Sequence, residues 1–398
     1  MFKEEIIMKK MKKVMSLVLT SAMAVSLLAG CGSDKAGSTG TAEGSADAFK
    51  IGAIGPMTGG AAIYGNAVMN AAQLAVDEIN AAGGVNGYML ELNPQDDEHD
   101  AEKSVNAYNT LKDWGAQIIL GSVTSAPCIA VSEKTKEDNM FQITPSGTAK
   151  ECVQYDNAFR VCFADPTQGK IAAQFIKEKG LAEKVAVIYD SSDTYSSGIY
   201  EAFAAEAANQ NLEIVAAEAF TADNKTDFTV YLQKAKDAGA DMLFLPIYYS
   251  EAYLILTQAA KIEYTPAIFG VDGMDGVLSV DNFDTSLAEG VIFLSPFTST
   301  VNEKAVAFSA AYEAKFGEVP NQFAADAYDA IYIIKQALET ANATPDMSVS
   351  DLCEALKSAM VQIEFSGTTG SSISWGADGE PNKEPIAIKI VDGAYTIM

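Results

Sequence analysis

The chain of 398 residues holds a single histidine, His99, and a single arginine, Arg160. A Ser-His-Asp or Cys-His catalyst could draw on His99 alone, and a metal site of several histidines cannot be assembled. Neither a G-x-x-x-x-G-K-S/T phosphate loop nor an H-E-x-x-H pair occurs. An enzyme is therefore not expected, and no cofactor is called for. Bases are short too: 27 Lys and Arg stand against 53 Asp and Glu, for a net charge of -26. A surface this negative repels phosphate backbones, which excludes nucleic acid as an expected partner. Five cysteines are too few to frame a chain of this length with disulfides. Cys152 and Cys162 could pair in an oxidising compartment, and they serve equally well as buried thiols.

The hydrophobic share of 48% and charged share of 20% describe a globular protein, and the length suits two α/β lobes. The basic run Lys9-Lys10-Met11-Lys12-Lys13 precedes an apolar stretch from Val14 to Leu28, which has secretory-signal length and is short for a membrane span. The acidic Met1-Phe2-Lys3-Glu4-Glu5 is unusual ahead of such a region, and Met8 is an alternative start. Leu28-Ala29-Gly30-Cys31 resembles the lipobox of bacterial lipoproteins, which implies lipidation at Cys31 and a membrane anchor on the outer face of the cell membrane. Gly32 to Ala46 is rich in Gly, Ser, Thr and Ala, as a flexible tether is. A signal peptide is thus expected over 1–30 and a tether over 31–47.

From Phe49 onward, short β-branched runs alternate with amphipathic stretches. Strands are expected at 49–54, 89–93, 117–120 and 140–143, with helices over 66–82 and 101–114. A second series has helices over 168–179, 199–210, 228–238 and 251–261, with strands at 185–189, 212–217, 241–245 and 267–269. Repeated β-α-β units imply parallel sheets with helices on both faces, and two such series imply two doubly wound, Rossmann-like lobes. Ligands of open α/β sheets bind beyond the carboxyl ends of the strands, so the loops there carry the functional candidates.

Those loops are Gly55-Pro56-Met57-Thr58-Gly59, Tyr64-Gly65, Gln95-Asp96-Asp97, Leu120-Gly121-Ser122 and Ile143-Thr144-Pro145-Ser146-Gly147-Thr148. With the helix end Asp77-Glu78-Ile79-Asn80-Ala81-Ala82-Gly83-Gly84-Val85-Asn86-Gly87, they resemble the branched-chain amino-acid binding proteins, which are type I periplasmic binding proteins. The resemblance runs through nearly all of 49–398. It implies lobes joined by three hinge crossings, near 163–165, 294–297 and 372–376, with lobe I at 48–163 and 297–373 and lobe II at 164–296 and 374–398. It also implies closure of the lobes on the ligand and recognition of the closed form by a membrane permease.

A zwitterionic guest needs donors for its carboxylate and an anion for its ammonium. With one arginine in the chain, hydroxyls and the amides of helix N-termini must hold the carboxylate. By match to the family, Ser125 and Thr148 take that part, the Ser146 carbonyl faces the ammonium, and Asp272 pairs with it. Tyr64, Tyr195 and Tyr248 match positions that wall the family's cleft. Each also has a plainer reading: an N-cap for Ser125 or Thr148, a turn residue for Asp272, packing for the tyrosines. Tyr328 suits the core. Where the best-known members carry a disulfide, this chain has His99 and Thr124. His99, in Asp97-Glu98-His99-Asp100, is expected as a solvated loop residue, and Arg160 as a structural contact.

The function implied is the lipid-anchored binding component of an ABC importer. It would be a monomer that carries leucine, isoleucine, valine or a similar apolar amino acid to a permease and its ATPase subunits. The alternative is a sensor that binds an amide, urea or other small solute with the same fold.

Overall fold

The computed structural model describes residues 48–398. The expected signal peptide, Cys31 and the tether lie outside the described residues. Strands β1 (Ala48–Gly55), β2 (Met89–Asp96), β3 (Ile118–Leu120), β4 (Phe141–Thr144) and β5 (Ala158–Arg160) form one parallel sheet, ordered β2-β1-β3-β4-β5. A second sheet takes β6 (Lys184–Asp190), β7 (Glu213–Phe220), β8 (Met242–Leu245), β9 (Ala267–Gly270), β10 (Ile292–Ser295), β11 (Ile386–Val391) and β12 (Ala394–Ile397). Its order is β12-β11-β10-β9-β8-β6-β7. Both sheets share one winding: the second strand lies outside the first and the later ones run the other way. The crevice therefore opens at β1/β3 and at β6/β8.

Alternate strand residues are buried on opposite faces, as helices on both sides require. In the first sheet Ile118 and Leu120 join one core while Ile119 joins another with Ile54 and Leu111. In the second, Leu243 and Leu245 face one way and Met242 and Phe244 the other. The first sheet is wound by α1 (Ala62–Ala81), α2 (Ala101–Trp114) and α3 (Ser125–Glu137). The second is wound by α4 (Asp165–Glu178), α5 (Thr194–Gln210), α6 (Thr229–Asp237) and α7 (Tyr249–Lys261). The chain then gives α8 (Glu303–Phe316), α9 (Gln322–Thr340) and α10 (Val349–Met360); α9 packs on α1 and α10 on β4.

It ends on the second sheet, where β11 runs antiparallel to β10 and to β12. Asp392 (φ 52°) and Gly393 (φ 72°) turn that hairpin, both left-handed as a two-residue turn demands. Sequence periodicity did not disclose this pair.

Three helices begin earlier than their apolar spacing predicts: α1 at Ala62, α4 at Asp165 and α5 at Thr194. Their first turns carry Tyr64 and Asp165, which bond to the other sheet's loops at Gly273 and Thr148, and Tyr195, which bonds to Asp272 in a loop of its own sheet, so no apolar stripe marks these turns. In α1 the cause is visible. A Cβ on Gly65 would lie 1.9 Å from the Pro56 carbonyl oxygen, so only glycine lets the helix start so close to the β1 loop. Cys128, Cys152, Cys162 and Cys353 are all free, buried thiols, so Cys152 and Cys162 do not pair.

Candidate functional site

The loops after β3 and β4 build one wall. Ser125 opens α3 and is buried, and its hydroxyl oxygen accepts from the Ala149 amide at 3.2 Å. The preceding Thr124 gives the helix no side-chain cap, which leaves the first-turn amides available to an anion. The Ser146 hydroxyl donates to the Val123 carbonyl at 2.7 Å. Thr144 fixes the turn from below, its Oγ1 donating to the Ser122 carbonyl at 2.7 Å and accepting from the Gly147 amide at 2.8 Å. From behind, the fully buried Arg160 donates to the carbonyls of Gly147 (2.8 Å) and Ala149 (2.9 Å), and its Nε lies 3.1 Å from the Glu380 carboxylate. Arg160 is structural, as expected: it holds the loop that carries Thr148.

The loops after β6, β8 and β9 build the other wall. The Tyr195 hydroxyl donates to Asp272 Oδ1 at 2.6 Å and accepts from the Gly273 amide at 2.9 Å. The Asp272 amide donates to Gln168 Oε1 at 3.0 Å. Tyr248 stacks on Tyr195, ring centroids 4.7 Å apart and planes within 10°. Burial pushes the Asp272 carboxyl up to about 6, and the Tyr195 hydrogen bond works against that rise.

The walls meet through Tyr64 on α1. Its hydroxyl donates to the Gly273 carbonyl at 2.5 Å and accepts from the Tyr249 amide at 3.2 Å, while its ring stacks on Phe323 of α9 at 4.0 Å. Tyr64, Ser125, Ser146, Tyr195, Tyr248 and Asp272 line a single cavity together with Phe323. Thr148 is not among its lining residues. Its carbonyl is bonded to the Asp165 amide at 2.9 Å, just behind. The cavity volume is about 10 Å³, on the scale of one water molecule, so the walls stand closed on each other. Larger cavities, of about 320 to 450 Å³, lie elsewhere, the one of about 320 Å³ between α1, α8 and α9. There the polar groups satisfy one another, the Tyr328 and Tyr332 hydroxyls both donating to Glu78 at 2.5 and 2.9 Å, so size does not decide the site.

Sequence reasoning missed Asp165 and Gln168. Both oxygens of Asp165, the Nε2 of Gln168 and the Oγ1 of Thr148 are buried without a hydrogen-bond partner. Burial drives the Asp165 carboxyl well above the usual carboxylate range. The Thr148 hydroxyl is close enough to temper that rise without forming a well-aligned bond. Unpaired buried polar atoms are rare, and this run of them lies beside the cavity, between Thr148 and Asp272, although Asp165 and Gln168, like Thr148, are not among its lining residues. The available signal was the i, i+3 pair of polar residues on the first turn of a helix.

His99 corrects the expectation of a solvated loop residue. It is half-buried, its Nδ1 lies 2.8 Å from Thr124 Oγ1, and its ring stands edge-on to Tyr248 at 5.4 Å and 89°. Burial, and next to it the Lys225 charge, lowers the imidazole to about 4. The polar neighbours Glu98 and Asp100 suggested exposure; the ring instead turns in toward the opposite wall.

The family model described as periplasmic binding protein matches residues 48–394. The chain belongs to that family. The family consists of extracytoplasmic binding proteins, and the two sheets described above have its fold. The chain is 28% identical over 341 residues to the Leu/Ile/Val-binding protein BraC3 of Rhizobium johnstonii, covering 85% of this chain and 90% of that one. The crystal structure of LivJ from Streptococcus pneumoniae, a branched-chain amino acid transporter substrate-binding protein in complex with isoleucine, superposes with a TM-score of 0.80. It is 31% identical, over 88% of this chain and 99% of LivJ. The leucine-binding protein LivK of Thermotoga maritima gives 0.79 at 26% identity, over 88% of this chain and 97% of LivK.

Proposed function

We propose that the protein is the binding component of an ABC importer. It closes its two lobes on a branched-chain or similar apolar amino acid and presents it to a permease and its ATPase subunits. One observation carries the ligand class: the cavity joins uncapped amides and hydroxyls on one wall to a buried acid and tyrosines on the other, with no basic side chain lining it. Ser125, Thr148 and the α3 amides hold the ligand carboxylate. The Ser146 carbonyl and Asp272, with Asp165 behind it, face the ammonium. Tyr64, Tyr195 and Tyr248 receive the aliphatic side chain on their ring faces.

Lobe I comprises 48–163 and 297–373, lobe II 164–296 and 374–398, and opening at the three crossings admits the ligand. The site binds and releases; nothing in it supplies a nucleophile with its base. Cys31 carries the lipid anchor after removal of 1–30. The test is calorimetry with a panel of amino acids, aromatic acids and amides. Leucine, isoleucine or valine should bind at micromolar affinity or tighter. Tight binding of an amide or aromatic acid, with every amino acid inert, would refute the assignment.

A further inference from the structure

His99 sits in the loop after β2, where Asp97 accepts its backbone amide at 2.9 Å. Its two side-chain contacts face in different directions. The bond to Thr124 Oγ1 turns that hydroxyl toward the imidazole, and with no cap from Thr124 the first-turn amides beside Ser125 stay open. The ring edge rests on Tyr248, which stacks on Tyr195, which in turn donates to Asp272. A continuous chain of contacts thus runs from the carboxylate end of the site to its ammonium end. His99 and Tyr248 are a point where the first sheet's loops touch the second's.

We propose that His99 is a positioning residue for ligand capture: closing the lobes buries the imidazole between Thr124 and Tyr248, which favours its uncharged form, so acid loosens the hold on the ligand. This deepens the proposed function and rests on it. The charged and titratable groups around the ring are Asp97 and Asp100 in its own loop, with the Glu98–Lys103 ion pair beside them. From the second sheet's side come Tyr248, Asp190 and Lys225, and Asp193 behind Tyr248. Asp190 and Asp100 favour the imidazolium; burial and Lys225 oppose it and prevail. A histidine freed by lobe opening returns to about 6.5. Closure therefore expels a proton in mild acid, and affinity falls as pH drops through that open-state value, levelling only near the closed-state one.

The full-length protein is titrated with leucine by calorimetry at pH 7.5 and 5.5, beside His99→Asn, which keeps a hydrogen-bonding group and cannot titrate. The His99 step should weaken wild-type binding about tenfold at the lower pH, and the variant should lack that step. As the only histidine in the chain, His99 also gives an unambiguous NMR titration. Its midpoint should be lower with leucine bound than without. Equal pH ratios for the two proteins, or one midpoint in both ligand states, overturn the role of His99 alone. No binding of any amino acid at pH 7.5 overturns the proposed function and this inference with it.

Discussion

Arg160 and Asp165 lie five residues apart, one ending β5 and the other opening α4, and both are buried ionisable side chains. Their surroundings differ completely. The guanidinium meets the Gly147 and Ala149 carbonyls and the Glu380 carboxylate, and Trp375 Nε1 donates to the Arg160 carbonyl at 2.7 Å. The carboxylate meets no hydrogen-bond partner at all. A buried charge with its own partners belongs to the architecture. One left without them either takes up a proton or awaits a guest. The Ser146–Ala149 loop lies between these two regimes, braced by Arg160 behind and turned toward the cleft in front.

The sharpest way to break the comparison is to remove the brace. Arg160→Ala strips the Gly147, Ala149 and Lys150 carbonyls of a donor and leaves Glu380 without its partner. It should cost about 3–5 kcal/mol of folding stability, measured by urea denaturation. A loss below about 1 kcal/mol would show that the rear of the loop does not depend on the guanidinium. Asp272→Ala acts on the other regime. It should cost about 2–5 kcal/mol of binding free energy for leucine, because the ligand ammonium is left buried and unpaired. Folding stability should hold or rise, since a desolvated acid is gone. Near-native affinity in calorimetry would remove Asp272 from the site.

How far the sequence discloses this arrangement depends on what governs each residue. Strands buried on both faces announce themselves as β-branched runs, and the loops after them follow by rule, so the loops that carry Ser125, Thr148 and Asp272 were legible, while the choice of those residues came from the resemblance to the family. Helix starts shaped by the cleft were not. Asp165-Pro166 has the form of an ordinary N-terminus, with an acid and a proline in the first turn, and nothing local says that its carboxylate is sealed from solvent. Phe323 resembles any apolar residue of an amphipathic helix, and only tertiary placement puts it against Tyr64. His99 misleads for the opposite reason: its neighbours are polar, but its own contacts lie 25 and 149 residues away in sequence, at Thr124 and Tyr248.

The smallest expected effect separates stability from affinity. Asp165→Asn keeps the shape of the side chain and removes a group whose folded-state value lies well above its unfolded one. Such a group supports folding fully below the unfolded value near 3.8, and that support is lost as pH rises through the folded value. Asp97, Asp193, Asp272, Asp275 and Asp326, all pushed up to about 6 chiefly by burial, act in the same sense, so the thermal midpoint should be higher at pH 5 than at pH 7.5. His99 works the other way, but it is one group against several. Asp165→Asn should therefore raise the midpoint at pH 7.5 by a few degrees and narrow its gap from pH 5, while leucine binding weakens. A variant that lost stability and kept its affinity would place Asp165 with Arg160 in the architecture, and the contrast between the two residues would fall.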